Sequence, residues 1–253
     1  MTDINCDMGE SYGRFRLGND EAVMPYITSC NIACGFHAGD PLTMERTLLL
    51  AKKHGVHAGA HPSFPDLAGF GRRPMKLPPE ELRSLLIYQI SALKGMAESL
   101  GIKIRHVKPH GALYHTVSTD EEAARAFAEA VHAIDPELLV FGPAQMPQGK
   151  NKELFNACRE KGLHYLHETF ADRNYLDDGS LVPRSHPQAI LHNPEEIAKR
   201  ARLMLHEKTV TTLSGKKIPL QTDTLCLHGD HPQAAEIAKA LWEWLNRGNR
   251  GNR

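Results

Sequence analysis

The sequence has no excess of either charge and no long apolar segment. Lys and Arg total 30, as do Asp and Glu, so the formal net charge of the 253-residue chain is zero. No apolar run approaches the ~20 residues of a membrane-spanning helix. The first residues are polar and include Asp3 and Asp7, unlike a signal peptide. The sequence therefore predicts neither a nucleic-acid partner nor a membrane association.

Cysteine is scarce and follows no pairing motif. The five cysteines include no CxxC pair, which argues against a disulfide framework and against the common zinc-finger spacings. Four of them lie in apolar, strand-like runs, where buried free thiols are common. We therefore expect a protein of the reducing cytoplasm.

Apolar strand-like runs alternate with helical patterns along the whole chain, and no linker divides them. Seven strands are predicted, at Ile4–Asp7, Ile27–Cys34, Val56–His61, Ile102–Lys108, Leu138–Phe141, Leu163–Phe170 and Thr222–Leu227. Such alternation favours a parallel sheet. Seven strands suit a single-domain (β/α)7 TIM-like barrel over residues 1–245, with an open doubly wound sheet as the alternative. The Asn-Arg-Gly repeats of residues 246–253 are typical of a disordered tail.

Several helix boundaries carry local signals. Asp40 and Pro41 predict an N-terminus, and Gly55 the end of that helix. Thr119–Glu122 has the pattern of a capping box, and Pro232 is expected to begin the last helix. A hairpin is predicted around Thr209–Leu220.

Polar residues gather where the predicted strands end. In the first strand, Asn5 and Asp7 share one face and Cys6 takes the other, where it is expected to serve packing. Four histidines each follow a strand, and Gly or Pro stands beside them: His37, His61, His110 and His228. Because the carboxyl ends of barrel strands meet at one mouth, we expect these groups to form one site.

Motifs from the first strand to the last helix resemble the LamB/YcsF family. They are Asn5–Ser11 (NCDMGES), Asn31–Asp40 (NIACGFHAGD), Ala58–Pro62 (AGAHP), Lys108–Tyr114 (KPHGALY) and His228–Asp230 (HGD). Gly69–Arg73 and Ala171–Arg173 resemble it as well. Pro78 stands where the family usually has a capping Ser.

The resemblance implies a barrel of the glycoside hydrolase/deacetylase type and a specific reaction. Family members are the A component of prokaryotic ATP-dependent 5-oxoprolinase, which converts 5-oxo-L-proline, ATP and water to L-glutamate, ADP and phosphate with subunits B and C. The segment nearest to a phosphate-binding loop, residues 142–151, has the wrong spacing and Asn151 in place of Ser or Thr. We therefore expect ATP to bind mainly on the partner subunits.

For this chemistry the sequence offers a general base, proton carriers and anion-binding groups. Asp7 is the predicted base, although a buried structural Asp is the alternative. Lys108 is expected to neutralise phosphate or a developing oxyanion, unless its side chain only reaches the rim. The predicted catalytic group is completed by His37, His61 and His110. The predicted substrate-binding residues are Asn5, Glu10, Asn31, Arg73, Arg173, Arg184, His228 and Asp230.

Two other functions remain open at this point. One is a metal-dependent deacetylase-like amidohydrolase, and the other is a non-catalytic scaffold protein. His57 and His61 have an HxxxH spacing, but on a strand they stand about 13 Å apart, too far to share one ion. Asp7, His61 and His110 could hold a metal across strands, although no spacing requires one.

Overall fold

Seven parallel strands close into a barrel in the computed structural model, which describes residues 3–145, 151–229 and 233–248. The barrel order is β1-β2-β3-β4-β5-β6-β9. These strands are β1 (Asp3–Met8), β2 (Ser29–Ala33), β3 (His57–His61), β4 (His106–Val107), β5 (Leu139–Pro143), β6 (Tyr165–Phe170) and β9 (Thr224–Leu227). The predicted barrel is confirmed. The open sheet is excluded because each of the seven strands pairs with two neighbours, and the β6–β9 and β9–β1 pairs close the ring.

Helices surround the barrel. They are α1 (Asp20–Val23) with a 3₁₀ turn at Met24–Tyr26, α2 (Pro41–His54), α3 (Pro79–Ser99), α4 (Gly111–Thr119), α5 (Glu121–Ile134), α6 (Glu153–Glu160), α7 (Pro194–Arg202) with a π-helical turn at Leu203–Glu207, and α8 (Ala234–Gly248). The predicted hairpin is confirmed as β7 (Thr209–Thr211) and β8 (Lys217–Pro219). Among these described helices, none combines the length and apolarity needed to cross a membrane.

Three local predictions were wrong or incomplete. Strand β4 covers only His106–Val107 and not Ile102–Lys108. The predicted start is still part of the turn that ends α3, because the Ile102 N–H donates to Ala97 O. Helix α4 was not predicted. Since Thr119 belongs to α4, Asp120 caps α5 instead and accepts from the Ala123 N–H at 2.9 Å.

The predicted cap at Asp40 is confirmed, with Pro41 as the first residue of α2. Helix α3 begins after Pro78 without a side-chain cap. The predicted helix start at Pro232 lies outside the described residues, as do residues 249–253 of the predicted tail.

The barrel interior is polar, and hydrogen bonds cross it in successive layers. Near the amino ends of the strands, Asp3 accepts from Thr224 Oγ1, which in turn accepts from Asn5 Nδ2 at 2.7 Å. Asn31 then bridges from Asn5 to His106, whose Nε2 lies 2.8 Å from Asn31 Oδ1. Barrel interiors are usually filled by branched apolar side chains. Here a connected polar network fills that space and supports the layer above it.

The His106 ring occupies the space beside Gly59, its partner across β3 and β4. A Cβ on Gly59 would stand 2.2 Å from the ring, far inside van der Waals contact. The ring also stacks on Phe141, with centroids 4.2 Å apart. Glycine at position 59 therefore allows a histidine to lie in the barrel interior.

Candidate active site

The carboxyl ends of the barrel strands open into one pocket of about 660 Å³. Its base carries charged groups at the ends of β1, β4 and β6, and its wall carries groups from the loops that follow the barrel strands. This confirms that one mouth collects the polar strand ends, as β/α barrels do.

A buried ion triad, Asp7–Lys108–Glu168, forms the base of the pocket. Lys108 Nζ lies 2.8 Å from Asp7 Oδ1 and 2.9 Å from Glu168 Oε1. Burial alone would lower the pKa of Lys108, but the two carboxylates outweigh it and hold this pKa well above its usual range. Burial alone would raise the pKa of Asp7, but His61 and Lys108 hold it well below its usual range. Asp7 and Lys108 are therefore both held in their charged forms.

Neutral amides orient the Asp7 carboxylate from below. Asn31 Nδ2 donates to Asp7 Oδ1 at 2.8 Å and to Asn5 Oδ1 at 2.7 Å. Asn5 and Asn31 are fully buried and do not line the pocket. Their geometry supports the position of Asp7.

Three of the predicted histidines pack together beside the triad. His61 Nε2 lies 2.9 Å from His110 Nδ1 and 3.4 Å from Asp7 Oδ2. His37 stacks on His110, with ring centroids 3.7 Å apart, and its Nε2 lies 3.4 Å from Glu10 Oε1. Burial, together with the neighbouring histidines, lowers the pKa of His37 and of His110 well below the usual range. Glu10, His37, His61 and His110 bring ligand atoms within 4.8 Å of one another.

The fourth histidine, His228, pairs with Asp172 instead. Its Nδ1 lies 2.8 Å from Asp172 Oδ2, and the ring stacks on Phe170. Burial would raise the pKa of Asp172, but His228 outweighs it and the pKa is lowered. One ring nitrogen of His228 and one oxygen of Asp7 lie within 4.8 Å of each other and of Cys226 Sγ. An ionised Asp172 therefore fixes the ring of a histidine that lines the pocket.

Three arginines, Arg72, Arg173 and Arg184, also line the pocket and are here called the cationic wall. Burial, followed by the charge of Arg184, lowers the pKa of Arg173. Partial desolvation, followed by the charges of Arg173 and Arg184, lowers the pKa of His115, whose surface is otherwise exposed. Arg72, also at the pocket, lies over the Phe70 ring at 4.9 Å. Mutual repulsion among these groups favours an anion between them, and guanidinium forks suit carboxylate or phosphate.

Comparison with known proteins matches almost the whole chain. The family model described as the LamB/YcsF family matches residues 2–251. The chain belongs to the LamB/YcsF family.

Relatives of this LamB/YcsF chain are named as the A component of 5-oxoprolinase. The Bordetella pertussis protein of that name is 48% identical over 245 residues, 97% of this chain and 95% of that protein. The Pyrococcus abyssi protein of the same name is 49% identical over 239 residues, 94% of this chain and 91% of its own. The structure of a lactam utilization protein from Thermus thermophilus has a TM-score of 0.90, at 45% identity and with 98% and 97% of the two chains covered.

Most predicted site residues of this LamB/YcsF chain meet at the pocket. Those that line it are Asp7, Glu10, His61, Lys108, His110, Arg173, Arg184 and His228. His37 lies behind the lining and contacts it. Arg73 is ion-paired with Asp66 and its side chain is 65% exposed, so it lies away from the lining. Asp230 lies outside the described residues.

Five further residues of the site had no predicted role: Arg72, Tyr114, His115, Glu168 and Asp172. Glu168 and Asp172 are ionisable residues at the end of β6, and this position in the sequence could have indicated that they belong to the site. Arg72 stands next to the predicted Arg73, and adjacent residues cannot be told apart without the loop conformation. Burial, followed by the charge of Glu168, raises the pKa of Tyr114 well above its usual range.

Proposed function

We propose that this chain is the A component of an ATP-dependent 5-oxoprolinase and hydrolyses the activated lactam of 5-oxo-L-proline to L-glutamate. The observation that carries this proposal is the pocket itself, which joins a buried Asp7–Lys108–Glu168 triad to a cationic wall. The name shared by its relatives supports the substrate. Their designation as one component of an enzyme supports assembly with partners, which we propose are subunits B and C in the cytoplasm.

The lactam needs activation because an unstrained amide is stabilised by resonance. Phosphorylation of the carbonyl oxygen by ATP gives that oxygen a phosphate leaving group. Water then adds to the carbonyl carbon, and cleavage of the ring C–N bond releases the amine and leaves an acyl phosphate. A second water hydrolyses this acyl phosphate to the side-chain carboxylate of L-glutamate and inorganic phosphate. We assign ATP binding and phosphorylation mainly to the partner subunits and hydrolysis to this chain.

The two sides of the pocket match the two ends of this substrate. Arg184 and Arg173 suit the carboxylate, while the phosphorylated oxygen would lie toward Lys108. The Asp7 carboxylate would orient the attacking water. A group positioned for proton transfer typically contributes about 10²–10⁴-fold in rate.

His228 would carry protons between water and the departing ring nitrogen. Its Nδ1 is held by Asp172, which leaves Nε2 as the nitrogen for proton transfer. In this proposal Asp172 is a positioning residue and His228 touches the reacting atoms. His61 and His110 line the same pocket, as the predicted catalytic set requires.

The decisive measurement is L-glutamate formation from 5-oxo-L-proline by the full chain, with and without partner subunits B and C and with and without ATP. We expect product only when the partners and ATP are both present. Glutamate formation by the isolated chain with ATP would contradict the division of labour. Chelator-sensitive acetate release from an acylated amide by the isolated chain would support a deacetylase instead.

The Asp7→Asn variant tests whether the chain is a catalyst or only a scaffold, because it keeps the shape of the side chain and removes its charge. In the assembled complex we expect kcat to fall by roughly 10²–10⁴-fold while the partners still co-purify. Full activity of this variant would favour a scaffold protein.

Two arginines provide a matched pair for the substrate carboxylate. Arg184→Ala removes a pocket cation, and we expect KM for 5-oxo-L-proline to rise by about 10-fold or more. Arg73→Ala removes an exposed cation of the same type that lies away from the pocket lining. It is the control, for which we expect KM to stay within about twofold. Equal effects of the two changes would disprove the assignment of the cationic wall.

A further inference from the structure

The hydrogen-bond directions in the histidine cluster show an unusual conflict. His61 Nδ1 lies 2.8 Å from the Lys108 carbonyl oxygen, and His110 Nε2 lies 2.8 Å from the Phe70 carbonyl oxygen. A carbonyl oxygen only accepts, so each of these outer nitrogens carries the hydrogen of its ring. In two neutral rings, the inner nitrogens therefore both present lone pairs.

Those two lone pairs face each other. His61 Nε2 and His110 Nδ1 are 2.9 Å apart, a distance at which two acceptors repel. Carboxylates surround them, since Asp7 Oδ2 lies 3.4 Å from His61 Nε2 and Glu10 Oε1 lies 3.8 Å from His110 Nδ1. The two facing ring nitrogens therefore require a cation between them, either a shared proton or a metal ion.

The orientation of the outer nitrogens favours a metal ion. Metal-bound histidines usually donate their second ring N–H to a backbone carbonyl or carboxylate, which fixes the tautomer and turns the free nitrogen toward the ion. Both His61 and His110 have this arrangement. With Glu10 they form a two-histidine, one-carboxylate set on the pocket wall, a set that suits zinc and other first-row divalent ions.

His37 is an independent indication. Its side chain is buried, and neither ring nitrogen has a hydrogen-bond partner among the described residues. Buried polar groups are normally satisfied. His37 stacks on His110 and its Nε2 already lies 3.4 Å from Glu10 Oε1, so this ring is placed to offer a fourth ligand.

The backbone around the cluster is shaped to hold it. Phe70, whose carbonyl accepts from His110, has a φ of 55°, which is rare for a residue with a side chain. A Cβ at the next residue, Gly71, would stand 2.8 Å from both His110 and His37. The loop at Phe70 and Gly71 therefore holds a strained backbone conformation in contact with His37 and His110. Such strain is common at functional sites.

We propose that Glu10, His61 and His110, with His37 as a fourth ligand, bind one divalent transition-metal ion of the zinc class. The ion would join the end of β3 to the loops that follow β1, β2 and β4 and place positive charge beside Asp7. This inference goes beyond the proposed function, and it can be tested without substrate or partners.

The test is a titration of the full chain, first dialysed against a chelator, with Zn²⁺ by calorimetry and with Co²⁺ by visible absorption. We expect one ion per chain and a ligand-field spectrum of low-symmetry Co²⁺ with nitrogen and oxygen ligands. In His61→Gln and His110→Gln we expect affinity to fall by roughly 100-fold or more. Glu10→Gln, which keeps the side-chain volume, is expected to weaken binding in the same direction and provides the test should a histidine variant not fold.

His57→Gln is the matched control, because His57 lies on the same strand as His61 but at its exposed start. It should bind the ion as the unchanged chain does. The proposal is wrong if no stoichiometric site is found, if Glu10→Gln and the histidine variants bind as tightly as the unchanged chain, or if His57→Gln abolishes binding. A nitrogen NMR spectrum showing one protonated imidazole in the metal-treated chain would mean that a shared proton is the cation.

Discussion

Lys108 illustrates how one side chain organises the residues around it. It is 2% exposed and pairs with both Asp7 and Glu168. Its removal would leave two carboxylates close together in a buried site without a compensating charge. Breaking a buried ion pair from one side typically costs about 3–5 kcal/mol.

Lys108→Met is therefore expected to lower the free energy of unfolding by about 3 kcal/mol or more, measured by urea denaturation at neutral pH. Lys94→Met is the matched control, because Lys94 pairs with Glu98 on the surface of α3. Exposed pairs contribute about 0–1 kcal/mol. Equal losses for the two variants would show that the triad has no special role in stability.

The buried ring of His106 should make the stability of the protein depend on pH. Burial, with a further contribution from Lys108, lowers its pKa from 6.5 to about 3. The folded state therefore binds fewer protons than the unfolded state between these values. The resulting stability is present above the unfolded pKa and is lost as pH falls from 6.5 toward 3, with a slope of up to about 1.4 kcal/mol per pH unit.

The check is urea denaturation of the unchanged chain and of His106→Gln from about pH 7 to about pH 4, a range in which the unfolded state binds a proton at this histidine and the folded state does not. The amide of Gln can still bond to Asn31 but does not titrate, so we expect a shallower loss of stability in the variant. Parallel curves over the whole range would contradict the role of His106. The charge of Asp3 raises the pKa of His106, and Asp3 is present in both proteins.

At the scale of the element, the helices differ in how their first turns are stabilised. Asp120 caps α5 through the Ala123 N–H, whereas Pro78 provides no side-chain cap for α3. Side-chain caps contribute about 0.5–2 kcal/mol. Helix α3 is nevertheless well formed, because its apolar face packs into the core through Leu82, Leu86, Ile90 and Leu93.

Pro78→Ser is expected to raise the free energy of unfolding by about 0.5–1 kcal/mol, since serine can accept from an N–H of the first turn. The reference change is Asp120→Ala, which should lower it by about 1 kcal/mol. Both positions are exposed, so packing changes little. A destabilised Pro78→Ser protein would show that the rigidity of proline matters more than the missing cap.

At the scale of the whole molecule, the barrel shields every thiol. All five cysteines are free and buried, and burial raises the pKa of Cys34 to about 12. A thiol with such a pKa is almost fully protonated at neutral pH and is a poor nucleophile.

The folded protein should therefore react very slowly with a thiol reagent near neutral pH, and its melting temperature should be the same with and without a reductant. The unfolded protein in urea provides the control and should titrate all five thiols. Rapid reaction of one thiol in the folded state would reveal an accessible cysteine and contradict the buried arrangement.

The local patterns of the sequence were enough to predict the architecture and to point to most of the residues that meet at the pocket. Alternation of strand and helix patterns is local, and it indicated seven strands in the right order. Asn5 and Asp7 could be placed on one face because side chains alternate along any strand. His61 and Lys108 could likewise be placed at the carboxyl ends of their predicted strands.

Only the tertiary structure decided which of these groups contact one another. Strand ends predict a common mouth but not distances across it, so the Lys108–Glu168 pair, the Asp172–His228 pair and the facing His61 and His110 nitrogens could not be foreseen. Arg72 and Arg73 are adjacent in the chain, yet Arg72 lines the pocket while Arg73 pairs with Asp66. Contacts between distant segments depend on how the barrel closes, and closure is a property of all seven strands together.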